Sequence, residues 1–419
     1  MESSASRLWA RSGAMWLTGT VDGPPRLAPG RPAAHLAGNL ERFARDAARW
    51  GPGPTDLPDA RLLGERAALA GLSRQGPLSC GGAFRTVRTR DGHLGLSLAR
   101  PADLELLPAL TGNELADPWE SVAAWAREVD SAEADERVEL LGLPGGLVPA
   151  PGTRVSARPA ALTRPGGRRE VIERPLVVDF TSLWAGPLCA HLLGLAGATV
   201  IKVESRSRPD GSRRGPKAFF DLLHAGHRAL SVDPSDPRHR VALAALVSRA
   251  DLVLEASRPD ALARWGLDAE AAVAGGTSWL SITARGRSSR RVGFGDDVAV
   301  GAGLYVHTGD DDNDRILPCA DAIGDPLTGV LAASAAASAL AGDRAQLIDV
   351  SMHDTCAEAA CDPDLPKVPG PPEAPDVRFD GQRWWLDTGT GRTEIRRPHA
   401  RRHTGTAPAL GADDSTLLP

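Results

Sequence analysis

The segment LVVDFTSLWAGPLCAHLLGLAGATVIKVE, residues 176–204, contains two short apolar runs separated by a helix-like stretch. The runs 176–180 and 199–204 are rich in β-branched residues and have the length of buried strands. Between them, a turn at 181–187 leads into an apolar helical stretch at 188–196. This order predicts two parallel strands joined by a helical crossover.

The same alternation continues along the chain to about residue 361. Further strands are predicted at 229–232, 252–254, 279–282 and 347–350, with helical patterns at 240–250 and 327–341. Strands that alternate with helices favour parallel pairing and right-handed crossovers. We therefore predict that residues 175–361 form an α/β domain with a Rossmann-like open parallel sheet.

The first 150 residues show a different pattern. Residues 84–87 and 94–98 are typical of strands around the turn Asp91-Gly92, while 106–110 and 119–129 are typical of helices. We predict a smaller α+β domain at 61–150. The Pro- and Gly-rich stretch 151–174 is predicted to be a linker, and residues 362–419 a second linker with a C-terminal tail that returns to the large domain.

Composition limits the class of protein. The chain has 419 residues, of which 42% are apolar and 24% are charged, as is usual for a soluble globular protein. No apolar stretch reaches the roughly 20 residues of a membrane helix, and the N-terminus does not resemble a signal peptide. We expect a cytoplasmic protein without a membrane partner.

Charge and cysteine content argue against three further features. The net charge is −5 with both signs interspersed, which argues against a nucleic-acid partner. The five cysteines are scattered and form no CxxC pair, so neither a disulfide framework nor a metal site is expected.

The turn Leu183–Pro187 is the first candidate for ligand binding. It follows a predicted strand and opens a helix, where free N–H groups and the helix dipole favour anions. Glu204 ends the next strand, a position where dinucleotide-binding folds keep a ribose-binding acid. The turn has one glycine instead of the GxGxxG pattern, which disfavours a nucleotide-dependent oxidoreductase.

Asp325 is the second candidate. It lies just before Pro326, which suits the first turn of the helix predicted at 327–341. From the residues alone, an ordinary helix-capping aspartate and a catalytic carboxylate both remain open.

Residues 175–354 resemble the family III CoA-transferases of the CaiB/BaiF type. The similar segments occur in the family's order: DFTSLWAGP at 179–187, GATVIKVE at 197–204, HAGHRAL at 224–230, EASRP at 255–259, RWGL at 264–267 and IDVSM at 348–352. The family's nucleophilic aspartate precedes a Leu-x-x-Gly helix start. Asp325 matches that position, and Asp321 is a second candidate.

The N-terminal part resembles the small domain of the same family. The similar segments are DGHLGL at 91–96 and LLGLP at 140–144, and APALG at 407–411 resembles the family's C-terminal segment. Residues 79–82, Ser-Cys-Gly-Gly, lie where the family keeps a glycine loop over the nucleophile. In the family the small domain follows the catalytic half, whereas here it precedes that half.

Residues 9–19, WARSGAMWLTG, are similar to residues 299–309, AVGAGLYVHTG, and a helix is predicted after each. One interpretation is a chance match between two segments of small residues. The other is that residues 1–60 are a degenerate remnant of a second large-domain half. Aligning Leu36 with Leu327 then places Ala34 where Asp325 stands, so the remnant would be catalytically inactive.

The resemblance implies a CoA-transferase that takes an acyl-CoA and a carboxylic acid as substrates, has no permanently bound cofactor and forms a homodimer. Asp325 would be the nucleophile, and the N–H groups of Gly81 and Gly82 would stabilise the oxyanion. The implied CoA-binding residues are Leu183, Trp184, Ala185, Gly186, Pro187, Arg206, His227 and Arg264.

Two further functions stay open. One is a 2-methylacyl-CoA racemase, although Gly295-Asp296-Asp297 stands where racemases have Gly-His-Asp, so the imidazole is missing. The other is a non-catalytic acyl-CoA-binding protein, since the altered domain order leaves the catalytic arrangement in doubt.

Overall fold

The computed structural model describes residues 2–54, 56–113, 117–256, 260–309, 315–361, 376–388 and 391–418. Residues 362–375, the first part of the predicted linker and tail at 362–419, and residues 257–259 of the EASRP segment lie outside the described residues. None of the helices in the described ranges combines the length and the apolar character that a bilayer crossing requires.

The N-terminal segment is helical. It contains α1 (Glu2–Arg11), α2 (Pro32–Ala47), a 3-10 helix (Ala60–Gly64) and α3 (Glu65–Ala70). Pro32 begins α2, where a missing N–H removes no intrahelical hydrogen bond. Leu36, Leu40 and Phe43 recur at helical spacing and are buried, so one face of α2 packs into the core.

The small domain is α+β, as predicted. Its three antiparallel strands, in the order β1-β2-β3, are β1 (Phe84–Arg88), β2 (His93–Ser97) and β3 (Gly145–Val148). Its helices are α4 (Pro101–Glu105), α5 (Leu107–Thr111), α6 (Pro118–Ala126) and α7 (Ser131–Leu141). Leu94 and Leu96 of β2 pack with Leu110, Val122 and Val138 in a separate small core.

The large domain contains a seven-stranded sheet. Its strands are β4 (Ala161–Arg168), β5 (Leu176–Asp179), β6 (Thr199–Ser205), β7 (Arg228–Val232), β8 (Leu252–Glu255), β9 (Ser278–Thr283) and β12 (Arg344–Ser351). The order is β4-β12-β9-β8-β5-β6-β7, and every pair is parallel except β4 with β12. A short antiparallel ribbon, β10 (Tyr305–His307) with β11 (Ile316–Pro318), lies outside this sheet. The predicted open parallel sheet is confirmed.

One sequence-based assignment in this region is wrong. Residues 151–174 were predicted to be a linker, but they include β4, which pairs along β12 from Arg168 to Ala161. Pro165 made this stretch resemble a linker in the sequence, because proline is uncommon within strands. Proline is tolerated there because β4 is an edge strand, where one side of the backbone has no strand to bond.

In the described part of the large domain, eight helices connect and cover these strands. They are α8 (Ala185–Leu195), α9 (Lys217–His224), α10 (Pro237–Val247), α11 (Asp260–Ala263), α12 (Ala269–Ala274), α13 (Gly295–Gly301), α14 (Gly324–Leu340) and α15 (Met352–Ala360). The alanine-rich α14 packs against both α8 and α2. Trp50 donates a hydrogen bond to Ala337 O at 3.2 Å, which further fixes the N-terminal segment to α14.

The C-terminal tail first packs against α1 of the N-terminal segment and then reaches the large domain. It contains the antiparallel strands β13 (Asp376–Phe379), β14 (Trp384–Thr388) and β15 (Gly391–Glu394), and then α16 (Asp414–Leu417). Asp413 accepts a hydrogen bond from Ala229 N at 2.9 Å, and Asp414 accepts one from Ser231 N at 2.7 Å. The tail therefore occupies the outer edge of β7.

Candidate active site

Two helix N-termini meet at the carboxyl edge of the parallel sheet. β5 ends at Asp179 and the chain turns into α8 at Ala185, while Asp325 lies in the first turn of α14. The N–H of Ala185 donates to Asp325 Oδ1 at 3.3 Å. Asp325 therefore lies beside the turn that the sequence singled out, at the edge where α/β sheets bind ligands.

A cavity of about 580 Å³ opens beside Asp325, within the size range of small-molecule sites. One wall comes from the turn and the start of α8, and another from the segment that follows β9. Its lining residues are Ser182, Leu183, Ala185, Gly186, Ala256, Arg264, Ile282, Thr283, Ala284, Arg287, Ser288, Ser289, Arg290, Arg291, Val292, Gly293, Phe294, Asp325 and Met352.

Four of the predicted CoA-binding residues line this cavity: Leu183, Ala185, Gly186 and Arg264. Trp184 and Pro187 lie in the same turn but point into the core. Trp184 is only 4% exposed and packs edge to face on Phe219, with ring centroids 5.4 Å apart. Its role in this structure is to anchor the turn.

The structure does not bring Arg206 and His227 to the cavity. Arg206 donates to Ser231 Oγ at 3.3 Å and to Asp414 Oδ2 at 3.2 Å, so it joins β7 to the C-terminal tail. His227 is 8% exposed, its ring lies 5.5 Å from that of His224, and burial lowers its pKa to about 3. A buried neutral imidazole offers no positive charge to a phosphate.

The turn before α8 is held in a strained conformation. Leu183 has a φ of 71°, in the left-handed region that residues with a side chain rarely adopt. Its N–H donates to Asp210 Oδ1 at 3.0 Å. The buried Lys202 ammonium bonds both Asp210 Oδ2 and Thr181 O at 2.9 Å. The lysine within the VIKVE segment therefore has a structural role, in which its buried charge is paired with Asp210.

Asp325 belongs to a group of carboxylates that the sequence analysis named separately and did not predict to lie together. Asp296 Oδ1 accepts a hydrogen bond from Ala322 N at 3.0 Å, and Asp297 Oδ2 accepts one from Ser97 Oγ of the small domain at 2.7 Å. Burial raises the pKa of Asp296 and Asp297 to about 7, and for Asp296 the anion of Asp321 adds to this effect.

Asp325 itself titrates just below neutral pH. Burial raises its pKa to about 6, while the Arg66 guanidinium and the N–H of Ala185 oppose that rise. At pH 7 to 8 most of the population carries an ionised carboxylate, the form that can act as a nucleophile.

Arg66 of α3 is a residue of this site that sequence reasoning missed. Its guanidinium binds both oxygens of Asp321, with Nε–Oδ2 at 2.9 Å and Nη2–Oδ1 at 2.5 Å. It also lies over the Trp184 ring, 5.2 Å from the centroid. No motif marks Arg66, because its partner lies 255 residues away in the chain. Asp321, fully buried and paired, is poorly placed to be a nucleophile.

The glycine loop approaches the segment that precedes Asp325. Cys80 Sγ lies 3.2 Å from Ala320 O, and a Cβ added at Gly81 would lie 3.4 Å from Arg66 Nη2. The N–H of Gly82 donates to Ser79 O at 2.9 Å, so in this conformation it is not available to an oxyanion. Of the two predicted donors, only Gly81 stays a candidate.

The N-terminal helix α2 packs against α14, and both helices have a proline in their first turn. Matching Pro32 with Pro326 would place Arg31 opposite Asp325, whereas the match of Leu36 with Leu327 places Ala34 there. Neither register supplies a carboxylate. The inactivity of this segment stays a prediction.

Comparison with known proteins identifies the part of the chain that contains the site. Residues 175–376 match the family model for CoA-transferase family III. Succinyl-CoA–D-citramalate CoA-transferase of Chloroflexus aurantiacus is 29% identical over 203 residues, covering 43% of this chain and 50% of that protein. Succinyl-CoA:mesaconate CoA-transferase of Haloarcula hispanica is 38% identical over 89 residues, covering 19% and 22%.

A solved structure of a CaiB/BaiF family protein from Brucella suis is 25% identical, with a TM-score of 0.43, and the match covers 57% of this chain and 65% of that one. The chain spans half or less of the length of these two curated relatives. The segment 175–376, which carries Asp325 and most of the cavity beside it, is the part of the chain that matches CoA-transferase family III.

Proposed function

We propose that this chain transfers CoA from an acyl-CoA donor to a carboxylic acid acceptor, with Asp325 as the covalent nucleophile. One observation carries the proposal. Among the described residues that line the cavity, Asp325 has the only carboxylate, and it lies at the carboxyl edge of a family III domain.

The first half of the reaction transfers CoA to the enzyme. The Asp325 carboxylate attacks the thioester carbonyl, a C–O bond forms, the C–S bond breaks, and CoA leaves as a thiolate. The thiolate then attacks the aspartyl carbonyl of the mixed anhydride and displaces the donor acid as its carboxylate. The products are the free acid and an aspartyl-CoA thioester, with no net transfer of protons or electrons.

The second half reverses these steps with a new acid. The acceptor carboxylate attacks the aspartyl thioester and releases CoA thiolate, which then attacks the acceptor's own carbonyl. The new acyl-CoA leaves and the Asp325 carboxylate is regenerated. N–H groups at the start of α8 and the N–H of Gly81 are the candidate donors to the developing oxyanions.

Four arginines beside Asp325 favour an anionic ligand. Arg287 pairs with Glu255 at 3.2 Å, and Arg291 pairs with Asp135 and Glu139. Arg264 and Arg290 form no ion pair within the ranges that the structure describes. We assign these two side chains to the phosphate groups of CoA, since unpaired arginines are well suited to phosphate.

The names of the relatives suggest where to begin the search for substrates. Both relatives described above are named for succinyl-CoA as donor and a dicarboxylic acid as acceptor. We therefore propose succinyl-CoA and small dicarboxylic acids as the first pairs to assay. The homodimer expected from the family resemblance stays a prediction.

Trapping reagents test the covalent route. Anhydride and thioester intermediates react with hydroxylamine, and borohydride reduces the thioester. We expect either reagent to inactivate the enzyme when acyl-CoA is present, because only then does the carboxyl carbon become electrophilic. The measurement is residual exchange of labelled acid into acyl-CoA after removal of the reagent.

The control for this experiment is the same treatment without acyl-CoA, which should leave activity unchanged. Inactivation that does not depend on acyl-CoA would contradict the covalent route. Tight binding of CoA esters without any exchange would instead favour the acyl-CoA-binding protein.

A further inference from the structure

We infer that Arg66, contributed by the N-terminal segment, is a positioning residue of the transferase site that keeps Asp325 in place and charged. The inference rests on the proposed function. It assigns a role to a part of the chain that lies outside the family III match at 175–376.

The first argument is the strained segment that Arg66 secures. Asp321, its partner, lies between Ala320 and Ala322, whose φ values of 57° and 43° are in the left-handed region. Ala322 O accepts the N–H of Asp325 at 2.9 Å. The bidentate pair between Arg66 and Asp321 therefore restrains the backbone that leads directly into the nucleophile.

The second argument is that Arg66 also contacts the turn whose N–H group binds Asp325. Its guanidinium stacks on Trp184, and the next residue, Ala185, donates its N–H to Asp325 Oδ1. A single side chain from α3 thus supports both backbone segments that hold the Asp325 carboxylate. Removing it frees both segments at once.

The third argument is charge. The titratable groups that act on Asp325 come from several elements: Asp296 and Asp297 of α13, Asp321 before α14, Cys356 of α15 and Arg66 of α3. Arg66 is the cation in this group. It offsets the anion of Asp321, which would otherwise disfavour ionisation of Asp325.

The test is the pH dependence of kcat/KM in four proteins: wild type, Arg66→Gln, Asp321→Asn and the double variant. Below its pKa of about 6, Asp325 is protonated and cannot attack, so the acid limb of the wild-type profile should report this group. In Arg66→Gln the guanidinium no longer offsets the negative charge of Asp321, and this charge raises the pKa of Asp325. The acid limb should therefore move to higher pH by about one unit.

The other two variants separate charge from packing. Asp321→Asn removes an anion and should move the acid limb to lower pH, while the double variant, which removes both charges, should return it close to wild type. The thermal unfolding midpoint of each variant is measured in parallel. Arg61→Gln, at an arginine whose side chain is 51% exposed, is the matched control and should leave the profile unchanged.

Two results would overturn the inference. One is an acid limb that stays at the wild-type pH in Arg66→Gln, and the other is an acid limb that shifts by the same amount in Arg66→Gln and in the double variant. If Arg66→Gln does not fold, the Asp321→Asn variant tests the inference by itself, because an acid limb that stays at the wild-type pH in this variant would also contradict the inference. Loss of exchange in Asp325→Asn together with an unmoved limb in Arg66→Gln would reject this inference only. Retained exchange in Asp325→Asn would reject the proposed function itself.

Discussion

Replacement of Asp325 by Asn is expected to abolish CoA exchange and to leave the binding of CoA esters intact. Asparagine has the size of aspartate, and its Oδ1 can still accept the N–H of Ala185 that Asp325 accepts at 3.3 Å. The amide lacks the anionic oxygen that attacks the thioester. Loss of a covalent nucleophile lowers turnover by roughly 10³-fold or more.

The measurement is incorporation of labelled acid into acyl-CoA, with calorimetry for the affinity of a CoA ester. Asp236→Asn is a suitable control, because Asp236 caps α10 through Arg238 N and asparagine caps helices equally well. We expect this control to exchange CoA at the wild-type rate. Substantial exchange by Asp325→Asn would show that another carboxylate does the chemistry.

Replacement of Gly295 by Ala is expected to give the second largest loss of activity. A Cβ at this position would lie 2.3 Å from Asp325 Oδ2 and 2.4 Å from Ala322 O, closer than real Cβ contacts allow. The Asp325 carboxylate must therefore shift away from its position. A displacement of about 1 Å can lower turnover by about 10²-fold, and the strain should also cost about 1–3 kcal/mol of stability.

Gly38→Ala provides the matched control for this substitution. Gly38 lies inside α2, and an added Cβ would meet nothing within 4 Å. Alanine there should leave turnover unchanged and stabilise the helix by about 0.5–1 kcal/mol. Measurements of kcat and of thermal unfolding check both variants. A wild-type kcat in Gly295→Ala would contradict the prediction that turnover depends on the position of the Asp325 carboxylate.

The large sheet was predictable from sequence because its strands are short apolar runs separated by helical patterns. The observed strands Leu176–Asp179 and Thr199–Ser205 begin where the predicted runs 176–180 and 199–204 begin, and each ends within one residue of its run. β4 was missed because Pro165 and two glycines mimic a linker, and only its pairing with β12 identifies it as a strand.

The site was predictable where it lies on the sheet edge and unpredictable where it depends on distant segments. Strand order and the rule for α/β sheets bring Ala185 and Asp325 together. Arg206 and His227 were predicted to bind CoA from local similarity alone. In the structure, Arg206 binds Asp414 and the His227 ring packs against that of His224. Arg66 was missed because sequence spacing carries no information about a contact that forms only in the folded chain.

The most direct test of the central claim is the location of the CoA adduct. Wild-type protein is incubated with acyl-CoA in the absence of an acceptor acid, and the intact chain and its peptides are analysed by mass spectrometry. We predict a mass increase of one CoA less one water, carried by the peptide that contains Asp325 and absent from Asp325→Asn. An adduct on another carboxylate, or exchange that proceeds without any adduct, would contradict the account.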